Sequence, residues 1–326
     1  MNINRRHYLC NLAAMPLVGW TFNATAQPAP IANLPKEIQL IAAVSPGGGP
    51  DTAARAVAAF AEKTYGMSVA VQNQPQVQGE SALAQFLKVS DQGKTWLIAP
   101  NSLFTINPHI YPRQHPDPLH GLQTVAQAGA NFFVLLVKAD DPIQQLSDFV
   151  REAKASDKPL NYGSGGSGSS HHMLMVDLAD RLNIKLNHVA YEGGSKAAAG
   201  LARGDVRLAF GAAGALPLVK AGRLRILAVA SPQRLPQFPD VPSLSEIVPG
   251  FNGDAWYGWF GQRQTPASQI TAFATLLRNA MNDPEVQNIL MTRGGISPTF
   301  VPGQVLAERI VKDFKHYKRL VDLIPR

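Results

Sequence analysis

The sequence predicts an α/β protein of two lobes, each a mainly parallel sheet flanked by helices. Three observations carry this. From residue 38 onward, short apolar β-rich stretches alternate with helix-period segments, which implies crossover connections and parallel pairing. The alternation restarts at Phe132, so a second sheet is expected. Both units also use one device, a strand running into a glycine-rich turn that opens a helix. The length of 326 residues exceeds what one hydrophobic core normally organises, and 45% hydrophobic content suffices to fill two.

In the first unit, residues 39–44 (QLIAAV) read as a buried strand that stops at Pro46-Gly47-Gly48-Gly49-Pro50. Residues 51–65 then read as a helix with Ala54, Val57, Ala58 and Ala61 on one face. Strands at 69–72 and 95–99 enclose a helix at 81–89, and the last strand ends at Pro100-Asn101-Ser102. In the second unit, the strand at 132–138 (FFVLLVK) precedes a helix at 143–155. A short strand at 160–162 leads into the Gly/Ser run 163–170 and a helix from 171 to 182. Strands at 187–191 and 206–210 flank a helix at 195–203, and a short helix at 216–221 precedes a strand at 224–230. A strand at 256–261 and helices at 267–282 and 302–323 close the chain. Trp256, Tyr257, Trp259 and Phe260 read as core. No fixed-period repeat occurs, which excludes a solenoid.

Residues 1–26 have the form of an export signal, with Arg5 and Arg6, an apolar run over 9–20, and Ala24-Thr25-Ala26 before the expected cut. The order Arg5-Arg6-His7-Tyr8-Leu9 also fits a twin-arginine signal; an ordinary secretory signal is the alternative. Its removal takes away the single cysteine, Cys10, and two arginines, lowering the formal charge from +7 to +5. One thiol builds no disulfide framework or multi-cysteine metal cluster. No later segment has the uninterrupted apolar length of a membrane helix, so the mature protein is expected to be soluble. Its basic residues are dispersed; the densest group, Lys312, Lys315, Lys318 and Arg319, interleaves with apolar residues as an amphipathic helix. That pattern disfavours a nucleic-acid partner.

The two turns carry the chemistry. A glycine-rich turn at a helix start presents backbone N–H groups without helical partners, together with the positive end of the helix dipole. Such an end accepts phosphate, sulfate or carboxylate. Gly47-Gly48-Gly49 and the run Gly163–Ser170 both have this form, and the second adds the hydroxyls of Ser167, Ser169 and Ser170. The run 163–168 also fits G-x-G-x-x-G, with Glu192 as a ribose acid, so a dinucleotide-dependent enzyme is the rival reading. A P-loop is excluded, because neither turn is followed by Gly-Lys-Ser/Thr; no G-x-S-x-G elbow occurs. His171 and His172 point about 100° apart on a helix and do not chelate one ion together. They are expected to pack or hydrogen-bond locally. No cofactor, metal or catalytic residue is assigned.

At these turns the sequence resembles the tripartite tricarboxylate transporter solute-receptor family, the periplasmic Bug proteins. The resemblance runs through Pro46 to Arg55, Asn101-Ser102 with Asn107-Pro108, and Tyr162 to His172. It continues through Val189-Ala190-Tyr191-Glu192-Gly193, Asp240 to Glu246, and Trp256-Tyr257-Gly258 with Thr265-Pro266-Ala267. It implies a two-lobed periplasmic binding protein of Venus-flytrap architecture with two interlobe crossovers. One lobe would comprise residues 27–127 and 251–326, the other 128–250. The implied function is a periplasmic, non-catalytic receptor that closes on a small carboxylate and serves a membrane transporter, or a sensor with the same binding chemistry. A monomer is expected. The matching binding residues are Gly48, Gly49, Pro50 and Asp51, with Ser102 nearby, and Gly166, Ser167, Gly168, Ser169 and Ser170 from the other lobe. Glu192, Gly200 and Arg207 depart from the family pattern. Glu192 near the cleft would disfavour a poly-carboxylate unless Lys196 or Arg203 compensates.

Overall fold

The eleven strands of the described residues form two sheets. In chain order they are β1 (Glu37–Ala42), β2 (Ser68–Asn73), β3 (Thr95–Pro100), β4 (Leu122–Asn131), β5 (Val134–Lys138) and β6 (Leu160–Ser164). Then come β7 (Leu186–Ala190), β8 (Leu208–Gly211), β9 (Leu224–Val229), β10 (Ala255–Gln262) and β11 (Ile296–Pro302). The six-stranded sheet has the order β11-β4-β10-β3-β1-β2, and the five-stranded sheet β7-β6-β8-β5-β9. This computed structural model describes residues 31–91, 93–110 and 118–324. The expected signal at 1–26 lies outside them.

Both sheets are mixed, not mainly parallel. β1 runs parallel to β2 and β3, but β10 is antiparallel to β3 and β4, and β11 to β4. In the second sheet β6 is parallel to β7 and β8, whereas β5 is antiparallel to β8 and β9. The sequence pattern missed β4 and β11, for physical reasons. β4 (LQTVAQAGAN) is rich in Gln, Ala and Gly, which are weak strand formers. β11 carries Pro298 and Pro302, tolerated because it is an edge strand.

The chain crosses between sheets twice, at Phe132–Phe133 and across residues 230–254. β4 stays in the first sheet to Asn131, past residue 128, the expected start of the second lobe. Phe251, expected in the first lobe, packs against Phe210 in the second sheet's core. Each sheet has apolar layers on both faces. Along β10, Trp256 and Phe260 enter one layer, Tyr257 and Trp259 the other, which makes the whole strand apolar. Phe132, Val134 and Leu136 face opposite to Phe133, Leu135 and Val137 for the same reason.

The C-terminal helix Gly303–Asp322 joins the lobes. Leu306 and Ile310 enter the first sheet's core, while Leu320 packs against Ile106 and against Met173 of helix Ser170–Leu182. Arg319 of its outer, basic face pairs with Asp180 at 2.7 Å. Among the described residues, no helix is long and apolar enough to cross a membrane.

Arg309 on this helix is largely buried and holds three groups. Its guanidinium donates to Asp254 Oδ1 at 2.5 Å, to Gln127 Oε1 at 2.9 Å and to Asp313 Oδ2 at 3.3 Å; the Trp256 indole also donates to Asp313, at 2.8 Å. Removing one member of a buried ion pair strands the others, at a cost of about 3 kcal/mol or more. Arg309→Met is therefore expected to lower the unfolding free energy by about that much, read as a lower urea midpoint at constant slope, and Arg309→Lys to recover only part, since one ammonium cannot fork among these acceptors.

Candidate functional site

The C-terminal ends of parallel strands are where α/β folds place ligands. β1 and β3 end side by side, delivering the turn 45–48 and Ser102. β6 ends in the second turn, which opens helix Ser170–Leu182.

The first turn is closed by its own anion. Asp51 is 3% exposed, and its carboxylate accepts from Gly47 N–H at 2.7 Å, Asn73 Nδ2 at 2.9 Å and Arg55 Nε at 2.9 Å. Burial opposes its ionisation, but these donors outweigh it and hold the carboxyl below its usual range. Gly49 lies against the buried Tyr257 hydroxyl so closely that a Cβ would stand 1.7 Å from Oη. Pro50 sits in the first turn of helix Gly49–Tyr65, where its missing N–H costs nothing.

The second turn is held by neutral groups. Gly168 N–H donates to His172 Nδ1 at 3.0 Å, and Gly166 N–H to Ser164 Oγ at 3.1 Å. Ser164 Oγ in turn lies 2.6 Å from His188 Nε2. The His172 and His188 rings stack at 3.9 Å and 7°, and the Tyr162 ring lies beside both, 5.1 Å from His188 and 6.2 Å from His172. Ser169 is spent inside the turn: its hydroxyl donates to Gly166 O at 2.7 Å and accepts from His172 N–H at 3.3 Å, capping the helix. His171 packs edge-on against Phe133. Both histidines thus have the local roles expected of them.

Between the lobes lies a cavity of about 140 Å³. Gly165 and Ser167 to Ser170 line it from the second lobe, and Gln78, Ser102, Asn107 and Ile110 from the first. Of the residues expected in the site, Ser102, Ser167, Gly168, Ser169 and Ser170 are brought together here, and Gly166 belongs to the same turn. Gly48, Gly49, Pro50 and Asp51 do not line this cavity. The hydroxyls of Ser102, Ser167 and Ser170 have no hydrogen-bond partner among the described residues. Gly168 has φ +74°, and a Cβ on it would stand 2.7 Å from Ile110 Cδ1, so a glycine lets the two walls meet.

Gln78, Asn107, Ile110 and Gly165 were not among the expected binding residues. Gln78 sits at φ 58°, a left-handed conformation rare for a side-chain-bearing residue, and its carbonyl accepts from Asn107 Nδ2 at 3.3 Å. Periodicity carries no signal for such a residue. Glu192, the candidate ribose acid, is exposed and pairs with Lys196, the compensation foreseen for it. Arg203 is committed to Asp205, and Arg207 to Asp141 and Glu152. The cavity also falls well below the several hundred Å³ of a drug-sized pocket, which leaves little room for a dinucleotide.

Only an imidazole with an unprotonated Nδ1 accepts from Gly168. Burial, and secondarily the nearby His188, lower the His172 pKa to about 4; burial alone does the same for His171. The unfolded chain therefore takes up these protons first, and stability is lost as pH falls from about 6.5 towards 4. The melting temperature should drop through this window, and less steeply in His172→Gln, whose amide oxygen still accepts from Gly168 without titrating. Equal slopes would remove His172 from the account.

Residues 53–325 match the family model described as tripartite tricarboxylate transporter family receptor. Protein BugT of Bordetella pertussis is 24% identical over 82% of this chain and 83% of its own. A TctC solute-binding protein from Polaromonas superposes with a TM-score of 0.78 at 23% identity, covering 88% of this chain and 98% of that one. R. palustris Rpa4515, solved with adipate, gives a TM-score of 0.73 at 23% identity over 88% of this chain and 96% of its own. With a family match over most of its length and the two-lobed fold of these solved relatives, the chain belongs to the tripartite tricarboxylate transporter receptor family.

Proposed function

We infer that this chain is an exported periplasmic receptor that captures a small carboxylate between its lobes and presents it to membrane subunits of a transporter. It performs no chemistry on the ligand and acts as a monomer, after loss of residues 1–26. The observation that carries this reading is the convergence of three uncommitted serine hydroxyls and the start of helix Ser170–Leu182 on one interlobe cavity. A carboxylate suits such a donor set, because charge-assisted hydrogen bonds to N–H and O–H groups are short and strong. The adipate in Rpa4515 supports the ligand class.

In this reading Ser102, Ser167 and Ser170 donate directly, while Gly166, Gly168 and Ser169 shape the turn that aims them. Gly48, Gly49, Pro50 and Asp51 build the first-lobe rim and come to the ligand through water or on further closure. Thermal-shift measurements against mono-, di- and tricarboxylates should find a ligand that stabilises the protein by about 2.7 kcal/mol at a hundred times its Kd. A shift with NAD and with no carboxylate would overturn the receptor reading. Ser167→Asp sets a like charge beside the anion and should weaken binding at least a hundredfold while the fold survives; unchanged affinity excludes the second turn.

A further inference from the structure

We propose that the second lobe holds a further binding site, behind the second turn, for an unbranched alkyl monocarboxylate. It lies outside the interlobe cleft and does not depend on what the cleft binds. A cavity of about 570 Å³ runs between helix Ser170–Leu182 and the edge of the second sheet, where β7 is the outermost strand. The interlobe cavity measures about 140 Å³, and ligand pockets several hundred.

This cavity is polar where the helix begins and apolar along its length. His172, in the first turn of the helix, is 2% exposed and lines the cavity. Its Nδ1 accepts from Gly168 N–H, so the neutral ring carries its proton on Nε2. That N–H has no partner among the described residues. Buried donors are normally satisfied, and leaving one bare is costly. The helix start adds the positive end of its dipole, so the acceptor best suited to this donor is an anion. Onward from His172 the helix contributes Met175, Val176 and Ala179, and the facing segment contributes Ile184 and Leu186. His172 and Ala179 are about 10 Å apart along the helix axis. A carboxylate held by His172 Nε2–H therefore leaves an aliphatic chain lying against this apolar wall. Among the described residues the one acid on the cavity is Asp180, which stands beyond Ala179 and is paired with Arg319 at 2.7 Å.

Calorimetric titration with butyrate, hexanoate and octanoate tests this. Burial of the chain should raise affinity about threefold for each added methylene. Ser102 lines the interlobe cavity and not this one, so Ser102→Asp, which repels anions from the cleft, should leave octanoate affinity within about twofold. Ala179→Trp fills the groove at a half-buried position and should weaken octanoate at least tenfold. In the unsubstituted protein the imidazole proton resonances of His172 should shift as octanoate binds. The inference is overturned if octanoate does not bind, or if affinity does not grow with chain length. Binding that Ala179→Trp leaves intact, or that Ser102→Asp abolishes, places the chain elsewhere and overturns it too. Should Ala179→Trp not fold, the His172 resonances decide, and unmoved resonances end the proposal.

Discussion

A single buried guanidinium connects both routes by which the chain passes between its sheets. Arg309 binds Gln127 on β4, which leads out to the second sheet, and Asp254, where the chain returns to β10; Asp313 and Trp256 complete the cluster. A buried charge tolerates no missing partner, so these groups are constrained to one arrangement. That arrangement fixes the C-terminal helix against both strands. Through Leu320 and Met173 it extends to the helix that carries the second turn. The site is therefore referenced to the strand crossovers, not only to its own loops.

The two glycine-rich turns look alike and do different things. Both present a helix start at the end of a parallel strand, yet one folds an aspartate back on itself and the other leaves two hydroxyls, those of Ser167 and Ser170, uncommitted. The difference arises in the first turn of each helix, which holds the acid Asp51 in one and the neutral Ser170-His171-His172 in the other. The stacked histidines supply acceptors to the second turn without adding charge. The anion-accepting character of its helix start is thereby preserved.

Much of this was legible in the residues. The helix at 267–282 matches Ala267–Asn282, and the strands with strong β-branched or aromatic content appear where expected. The strand–turn–helix device pointed to the second turn and the family resemblance to Ser102, and both line the one cavity. β4 and β11 escaped because alanine, glutamine, glycine and proline give no strand signal, and their pairing is decided by neighbours distant in sequence. The internal bonding of the first turn was not legible for a related reason. The resemblance names Asp51 among the binding residues, but Asn73, which donates to its carboxylate, ends β2 and reaches it only in three dimensions. Gln78 and Asn107 likewise lie on connecting segments whose approach to the cleft is a tertiary event.

The apolar seam of Ile106, Met173 and Leu320 adjoins the cavity, with Ile106 four residues before Ile110 and Met173 five after Gly168. Any hinge motion that draws Ile110 away from Gly168 must also expose part of that seam to water, which costs free energy in proportion to the apolar area uncovered. Opening therefore carries that cost whether or not a ligand is bound. In a receptor that closes on its ligand, such a seam favours the competent state and limits the affinity lost to the conformational equilibrium. The same seam opposes release, because its apolar contacts are regained each time the lobes meet.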